Sequence, residues 1–269
     1  MHPKQITYLM SSTHLNHQKN WINQLETVSS LGFDGIEIFG TDFVSGSLTR
    51  NKVIHKIKEF AENLNLELTA HPWFDFQTME VDRAVAEFNK VINRCDLMGV
   101  KKINVHLNFF ASEKAGSNRV VKIIQPLLEE IEKNNQELFF ENVPINIENP
   151  LGSTINHFLD FFNRLHHSKI GFTLDVGHAL ISNNLDVLTE ELKDKWKYTH
   201  INDNSGINDE HLGPGMGKVD WEGFAYLVNH LNYKYPLVME FPESHLANCL
   251  PVLKSAFKKQ GLPWLKNLH

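Results

Sequence analysis

Along most of the chain, short runs dense in Ile, Val, Leu and Phe alternate with longer segments whose apolar residues recur every three or four positions. The first pattern suits a strand covered on both faces and the second a helix with one apolar stripe, so the alternation predicts repeated strand–helix units around a parallel sheet. The predicted strands are ITYLM (6–10), GIEIF (35–39), LELTA (66–70), KINV (102–105), INIE (145–148), GFTLD (171–175), KYTH (197–200) and PLVME (236–240). Predicted helices occupy 21–31, 52–64, 81–98, 119–134, 154–165, 185–192, 221–231 and 246–260. Eight such units are what a closed (β/α)8 barrel, the TIM barrel, requires. Gly32 and Gly99 stand just past two of the helical runs, where a left-handed residue ends a helix. The fifth strand has two contenders, because ELFFENVP (137–144) and INIENP (145–150) both carry Glu-Asn near a proline. Spacing to the sixth strand favours INIE, and with it Glu148 over Glu141 as the residue at that strand end.

Composition narrows the class. The chain has 269 residues, 42% of them hydrophobic and 22% charged, and no linker, low-complexity tract or charge block divides it. One barrel domain over residues 1–269 is the economical expectation. Only two cysteines are present, Cys95 and Cys249, which gives neither a disulfide framework nor a thiolate metal motif and suits a reducing, cytoplasmic setting. The N-terminus lacks an apolar signal segment, and no window is long and apolar enough for a membrane span. Net charge is −6 and only five residues are arginine, none beyond Arg164, so the basic footprint of a duplex-binding protein is missing.

In a barrel of this kind the C-terminal ends of the strands share one mouth. His71 follows strand three, His106 strand four, Glu148 ends strand five, Asp175 strand six, His200 strand seven and Glu240 strand eight. Carboxylates crowded at a mouth repel one another unless a cation neutralises them, so six consecutive strand ends of metal-ligand type predict a bound divalent metal. Oxygen and imidazole donors without thiolate suit Mn, Co, Zn or Mg. His178 lies three residues beyond Asp175, and Asp209 and His211 follow in a glycine-bearing loop, adding further ligands or substrate contacts. Trp73, Phe74, Phe109 and Phe110 follow strands three and four, where some can wall a pocket and others pack in the core. The segment ASEKAGSNR (111–119) reads as a lid or an anion site ahead of a helix.

The stretches TLDVGHA, HINDNSG, DEHLGPGMGKVDW and VMEFP resemble the xylose isomerase-like TIM barrel superfamily, specifically its sugar phosphate isomerase/epimerase group, which is related to the endonuclease IV family. The likeness is strongest from Asp175 to Trp221 and weakest over the first sixty residues. Resemblance to the epimerase branch implies one metal held by Glu148, Asp175, His200 and Glu240, with Glu148 and Glu240 acting on opposite sides of the substrate and His178 contacting a substrate oxygen; His106 and Trp73 join His178 as expected substrate contacts. Resemblance to the endonuclease IV branch implies up to three zinc ions shared by His71, His106, Glu148, Asp175, His178, His200, Asp209, His211 and Glu240. VHLNFF and LDVGH depart from the endonuclease pattern, which favours the sugar branch.

The expected activity is therefore a metal-dependent isomerisation or epimerisation of a small sugar or sugar phosphate through an enediolate, with one glutamate removing the proton alpha to the carbonyl and the other returning it. A hydride shift is the alternative route. The rival functions are a trinuclear zinc phosphodiesterase acting on abasic DNA and a barrel that binds metal and sugar without turnover. The expected partner is a small carbohydrate rather than nucleic acid or membrane; the sequence leaves the oligomeric state open between a monomer and a homo-oligomer, although barrels of this kind often self-associate.

Overall fold

The structure, a computed structural model, describes residues 6–16, 20–107, 113–147, 151–262 and 264. Eight parallel strands pair in chain order and the last closes on the first: β1 (Tyr8–Ser11), β2 (Gly35–Gly40), β3 (Glu67–Pro72), β4 (Lys102–His106), β5 (Glu137–Glu141), β6 (Ile170–Asp175), β7 (Trp196–Ile201) and β8 (Leu237–Met239). Helices follow the strands and cover the barrel's outside, so most strand residues are buried on both faces, as the apolar runs predict. Gly99 has φ 84 and ends the helix Val81–Met98, as its position in the sequence predicts.

Inside the barrel the side chains stack in layers with the two-residue period of a strand. Near the N-terminal ends, Lys102 pairs with Glu67, and Lys197 Nζ lies 2.9 Å from Glu137 Oε1. Above them Leu9, Phe139, Tyr198 and Val238 form a separate apolar plug, and the Tyr198 hydroxyl meets that of Thr69 at 2.7 Å. Two residues further along β3, β5, β7 and β8 the same phase delivers His71, Glu141, His200 and Glu240 to the mouth. The plug thus forms a dry floor under the polar layer.

The fifth strand is ELFFE, not INIE. Its residues pair with β4 and β6, placing Glu141 opposite His106 and Thr173. A strand covered on both faces needs a continuous apolar run, which Leu138, Phe139 and Phe140 supply, all buried. INIE alternates apolar with polar residues; residues 145–147 lie in a turn and bend where Ile145 is 51% exposed, and Glu148 is outside the described residues. The strand-five carboxylate is therefore Glu141.

One further expectation changes. The segment 111–119 is helical from Glu113 onward, within Glu113–Ile124, and it is pinned by Ser117 Oγ donating to Asp160 Oδ2 at 2.7 Å and Arg119 Nε to the Phe76 carbonyl at 2.6 Å. A packed helix, not a lid, occupies those positions; residues 111 and 112 lie outside the described residues. Phe74 is buried against Phe76 and Phe88 in the core, while Phe109 and Phe110 fall outside the described residues. Among the described residues no helix is long and apolar enough to cross a membrane.

Candidate metal centre at the barrel mouth

His200 is the hub of the polar layer. Its Nδ1 lies 3.0 Å from Glu240 Oε2, 3.3 Å from Glu141 Oε1 and 3.9 Å from Asp175 Oδ2. Its other nitrogen, Nε2, lies 3.1 Å from Glu37 Oε2. All five residues are buried. One ligand atom from each of Glu141, Asp175, His200 and Glu240 falls within 4.8 Å of the others, and the same holds for Glu37, His71, His200 and Glu240, and for His71, His106 and Glu141.

Amide side chains fix the carboxylates. Asn104 Nδ2 donates to Glu141 Oε2 at 2.5 Å, and its oxygen accepts the Thr173 hydroxyl at 2.7 Å. Asn142 clasps the backbone of Asp175, accepting from its N–H at 2.7 Å and donating to its carbonyl at 2.9 Å. Asn202 Nδ2 donates to Asp175 Oδ2 at 2.7 Å, while Asp175 Oδ1 caps the helix Val176–Ser182 by accepting the His178 N–H at 2.7 Å. Asp175 thus keeps one oxygen on the helix and turns the other toward His200.

The loop after β7 explains its own glycines. Asp203 is fully buried and accepts from the N–H groups of Asn204, Gly215 and Val219 and from the indole of Trp221, at 2.9 to 3.0 Å. A Cβ on Gly217 would sit 2.3 Å from Asp203 Oδ1 and from the Asn204 carbonyl, so only glycine permits that approach. Asp203 is a loop organiser rather than a ligand. The loop it holds presents Asp209 and His211 to the mouth: Asp209 Oδ2 lies 3.1 Å from both His178 Nε2 and His211 Nε2. Each of these imidazoles donates its Nδ1–H to a carbonyl, His178 to Asn142 at 2.8 Å and His211 to Glu240 at 3.0 Å.

The charges are mutually dependent. Burial alone would strip the proton from His200, but Glu141, Glu240 and Glu37 outweigh it and hold the imidazole well above its usual range. His178 is raised against burial by Asp175 and Asp209, and His211 is pushed up to about 10 by Asp209 and Glu240 in the same way. Burial would raise Glu141 and Glu240, yet His200 holds both well below the carboxylate range. Asp175 goes the other way, raised to about 7 by burial together with Glu141 and Glu240 despite His178. Asp175 is thus the carboxylate of the cluster whose charged form burial and its acidic neighbours disfavour.

A divalent cation fits this arrangement. Buried atoms without a hydrogen-bond partner include His200 Nδ1, His71 Nε2, His106 Nε2 and Glu37 Oε1, all within the cluster. Three carboxylates and one imidazole around a common point are a donor set for a hard or borderline divalent ion. Of the residues expected from the sequence, the structure gathers His71, His106, Asp175, His178, His200, Asp209, His211 and Glu240 at the mouth. Trp73 stands at the rim, 46% exposed, with its ring edge-on to His106 at 5.5 Å. Sequence reasoning missed Glu37, although a lone carboxylate between the two isoleucines of GIEIF was a visible signal.

A family model described as xylose isomerase-like TIM barrel matches residues 25–268, and the chain belongs to that family. Its fold superposes on a D-tagatose 3-epimerase-like protein with TM-score 0.77 and 21% identity, covering 95% of this chain and 98% of that one. A D-psicose 3-epimerase from Clostridium cellulolyticum H10, solved with D-tagatose, gives TM-score 0.76 and 15% identity over 95% and 96% of the two chains. At these identities the likeness is one of fold. An uncharacterised protein of Sinorhizobium fredii is 27% identical over 158 residues, 56% of this chain and 51% of the relative, so the match spans about half that relative's length. A probable endonuclease 4 of Chlorobium phaeobacteroides is 25% identical over 187 residues, 62% of this chain and 65% of that one.

Proposed function

We propose that the protein is a divalent-metal-dependent isomerase or epimerase of a small sugar or sugar phosphate. The observation that carries this reading is the pair Glu141 and Glu240, delivered by β5 and β8 to 3.3 Å and 3.0 Å of one imidazole nitrogen above a dry floor. The similarity in fold to proteins described as tagatose and psicose epimerases supports it. Glu141, Asp175, His200 and Glu240 would hold the cation, which when bound supplies Lewis-acid stabilisation of negative charge growing on adjacent substrate oxygens.

The chain's own groups do the rest. One of Glu141 and Glu240 takes the proton from the carbon alpha to the carbonyl, and the other returns a proton from across the sugar. Asn104 keeps Glu141 from swinging out of line, and His178, fixed by its Nδ1–H on the Asn142 carbonyl, would exchange Asp209 for a substrate hydroxyl at Nε2. Trp73 and His106 form one wall against a sugar face. Incubation of manganese-loaded protein with a panel of ketoses and their phosphates in deuterated water tests this reading. Deuterium at the carbon beside the carbonyl, lost in Glu240→Gln, is the expected result; product formed without deuterium would replace proton transfer with a hydride shift.

A second reading is favoured by one observation. His71, His106 and Glu141 make a further ligand group next to the central one, which suits the multinuclear zinc phosphodiesterase acting on abasic DNA that resemblance to the endonuclease IV branch implies, and one relative is described as a probable endonuclease 4. The net charge of −6 weighs against a duplex as substrate. Zinc-dependent nicking of an abasic duplex would establish this reading over the first.

A further inference from the structure

We propose that His14, His211 and Glu240 hold a second divalent cation at the rim of the mouth, with Glu240 shared between that ion and the inner quartet. His14 closes the short turn Ser12–His14 directly after β1, while His211 comes from the long loop after β7. Two segments distant in sequence thus bring their imidazoles together, with ring centroids 5.0 Å apart. One ligand atom from each of His14, His211 and Glu240 lies within 4.8 Å of the others.

Three features make this a ligand set rather than a chance meeting of histidines. His211 donates its Nδ1–H to the Glu240 carbonyl at 3.0 Å, the backbone contact that fixes a metal-binding imidazole in one tautomer and leaves Nε2 as the donor atom. That Nε2 already faces an oxygen, Asp209 Oδ2, at 3.1 Å, so a fourth ligand stands at hand. His211 also has φ 46, a left-handed backbone uncommon outside glycine, directly before the bridge between Leu212 and Asp203. Two imidazoles with carboxylate oxygens suit Zn, Co, Mn or Fe in the divalent state.

The inner quartet is buried, whereas His14 and His211 are only partly so, leaving an ion between them open to the mouth. Resting on the sugar reading above, such an ion would take a hydroxyl, carboxylate or phosphate oxygen at the far end of the substrate. His14 lies outside the nine residues that resemblance to the endonuclease IV branch implies.

Metal-free protein dialysed against Zn2+ alone, and separately against Co2+ alone, tests the site by counting ions per chain with elemental analysis. His14→Ala and His14→Gln should bind one ion fewer than the parent protein, with an unchanged circular dichroism spectrum, and His178→Ala should bind as many as the parent. Equal counts for the parent and both His14 variants would overturn the proposal, as would loss of an ion in His178→Ala but not in His14→Ala. Glu141→Gln reports separately on the inner quartet: a full complement there counts against the functional reading and not against the rim site.

Discussion

Glu37 Oε2 and His200 Nε2 lie 3.1 Å apart in the dry interior, and this contact decides which way the imidazole works. With Nε2–H bound to a carboxylate, Nδ1 is the nitrogen left facing Glu141, Asp175 and Glu240. A carboxylate behind a ligating histidine orients the ring and raises its basicity. Glu37→Gln should therefore weaken divalent-metal affinity by about 10- to 100-fold while the barrel stays folded. Metal titration followed by calorimetry checks it, and unchanged affinity would remove Glu37 from the site.

Asp203 ties together the loop that carries Asp209 and His211. Asp203→Ala leaves three backbone N–H groups and one indole N–H without their acceptor, at a cost of about 3 kcal/mol or more. In a chain of this size that is a fall in Tm of roughly 6–12 °C. Trp221→Phe removes the indole bond and part of a buried ring, and should cost about 1–2 kcal/mol. Thermal melts of both variants give the comparison, and equal losses would contradict the assignment of Asp203 as organiser.

Removing the cation should expose the strain among the carboxylates. A ligand present at 100 times its dissociation constant stabilises the folded state by about 2.7 kcal/mol. Chelation should then lower Tm by roughly 5–10 °C, and re-addition of Mn2+, Co2+ or Zn2+ should restore it. A melt indifferent to chelator would mean that the histidines alone satisfy the cluster.

Acid should weaken metal binding in a defined window. The Asp175 carboxyl is raised to about 7, so below that pH a proton occupies an oxygen the cation needs, and above it the carboxylate is free. Affinity should fall about tenfold per pH unit more steeply below pH 7 than above it, since one extra proton is displaced there. The same shift works against the metal-free fold: with its folded pKa above the unfolded value, Asp175 costs stability as pH rises from about 4 through 7. Asp175→Asn should abolish the change of slope, measured by calorimetry in buffers of different ionisation enthalpy.

The strand–helix rhythm made the barrel legible from sequence because seven of the eight strands stand where a short strand-like run precedes helical periodicity. Most of the mouth followed from it, since a residue at a strand's C-terminal end has only one place to go. The fifth strand failed for a physical reason: loop spacing was weighed above double-sided burial, and the run LFF carried the burial. Glu37 was hidden because it lies in mid-strand rather than at the end, two residues before the phenylalanine that closes GIEIF. His14 was invisible for another reason, since nothing near β1 in sequence announces a partner in a loop almost two hundred residues away. Asp203 carries no sequence signal that separates a loop organiser from a ligand; its hydrogen bonds alone commit both carboxylate oxygens to the loop.

Anomalous diffraction from a crystal grown with Mn2+, collected on either side of the manganese absorption edge, locates the inner ion. A peak should appear with Glu141, Asp175, His200 and Glu240 all at coordination distance, about 2.0–2.3 Å. No peak among these four residues at a concentration that raises Tm would contradict it.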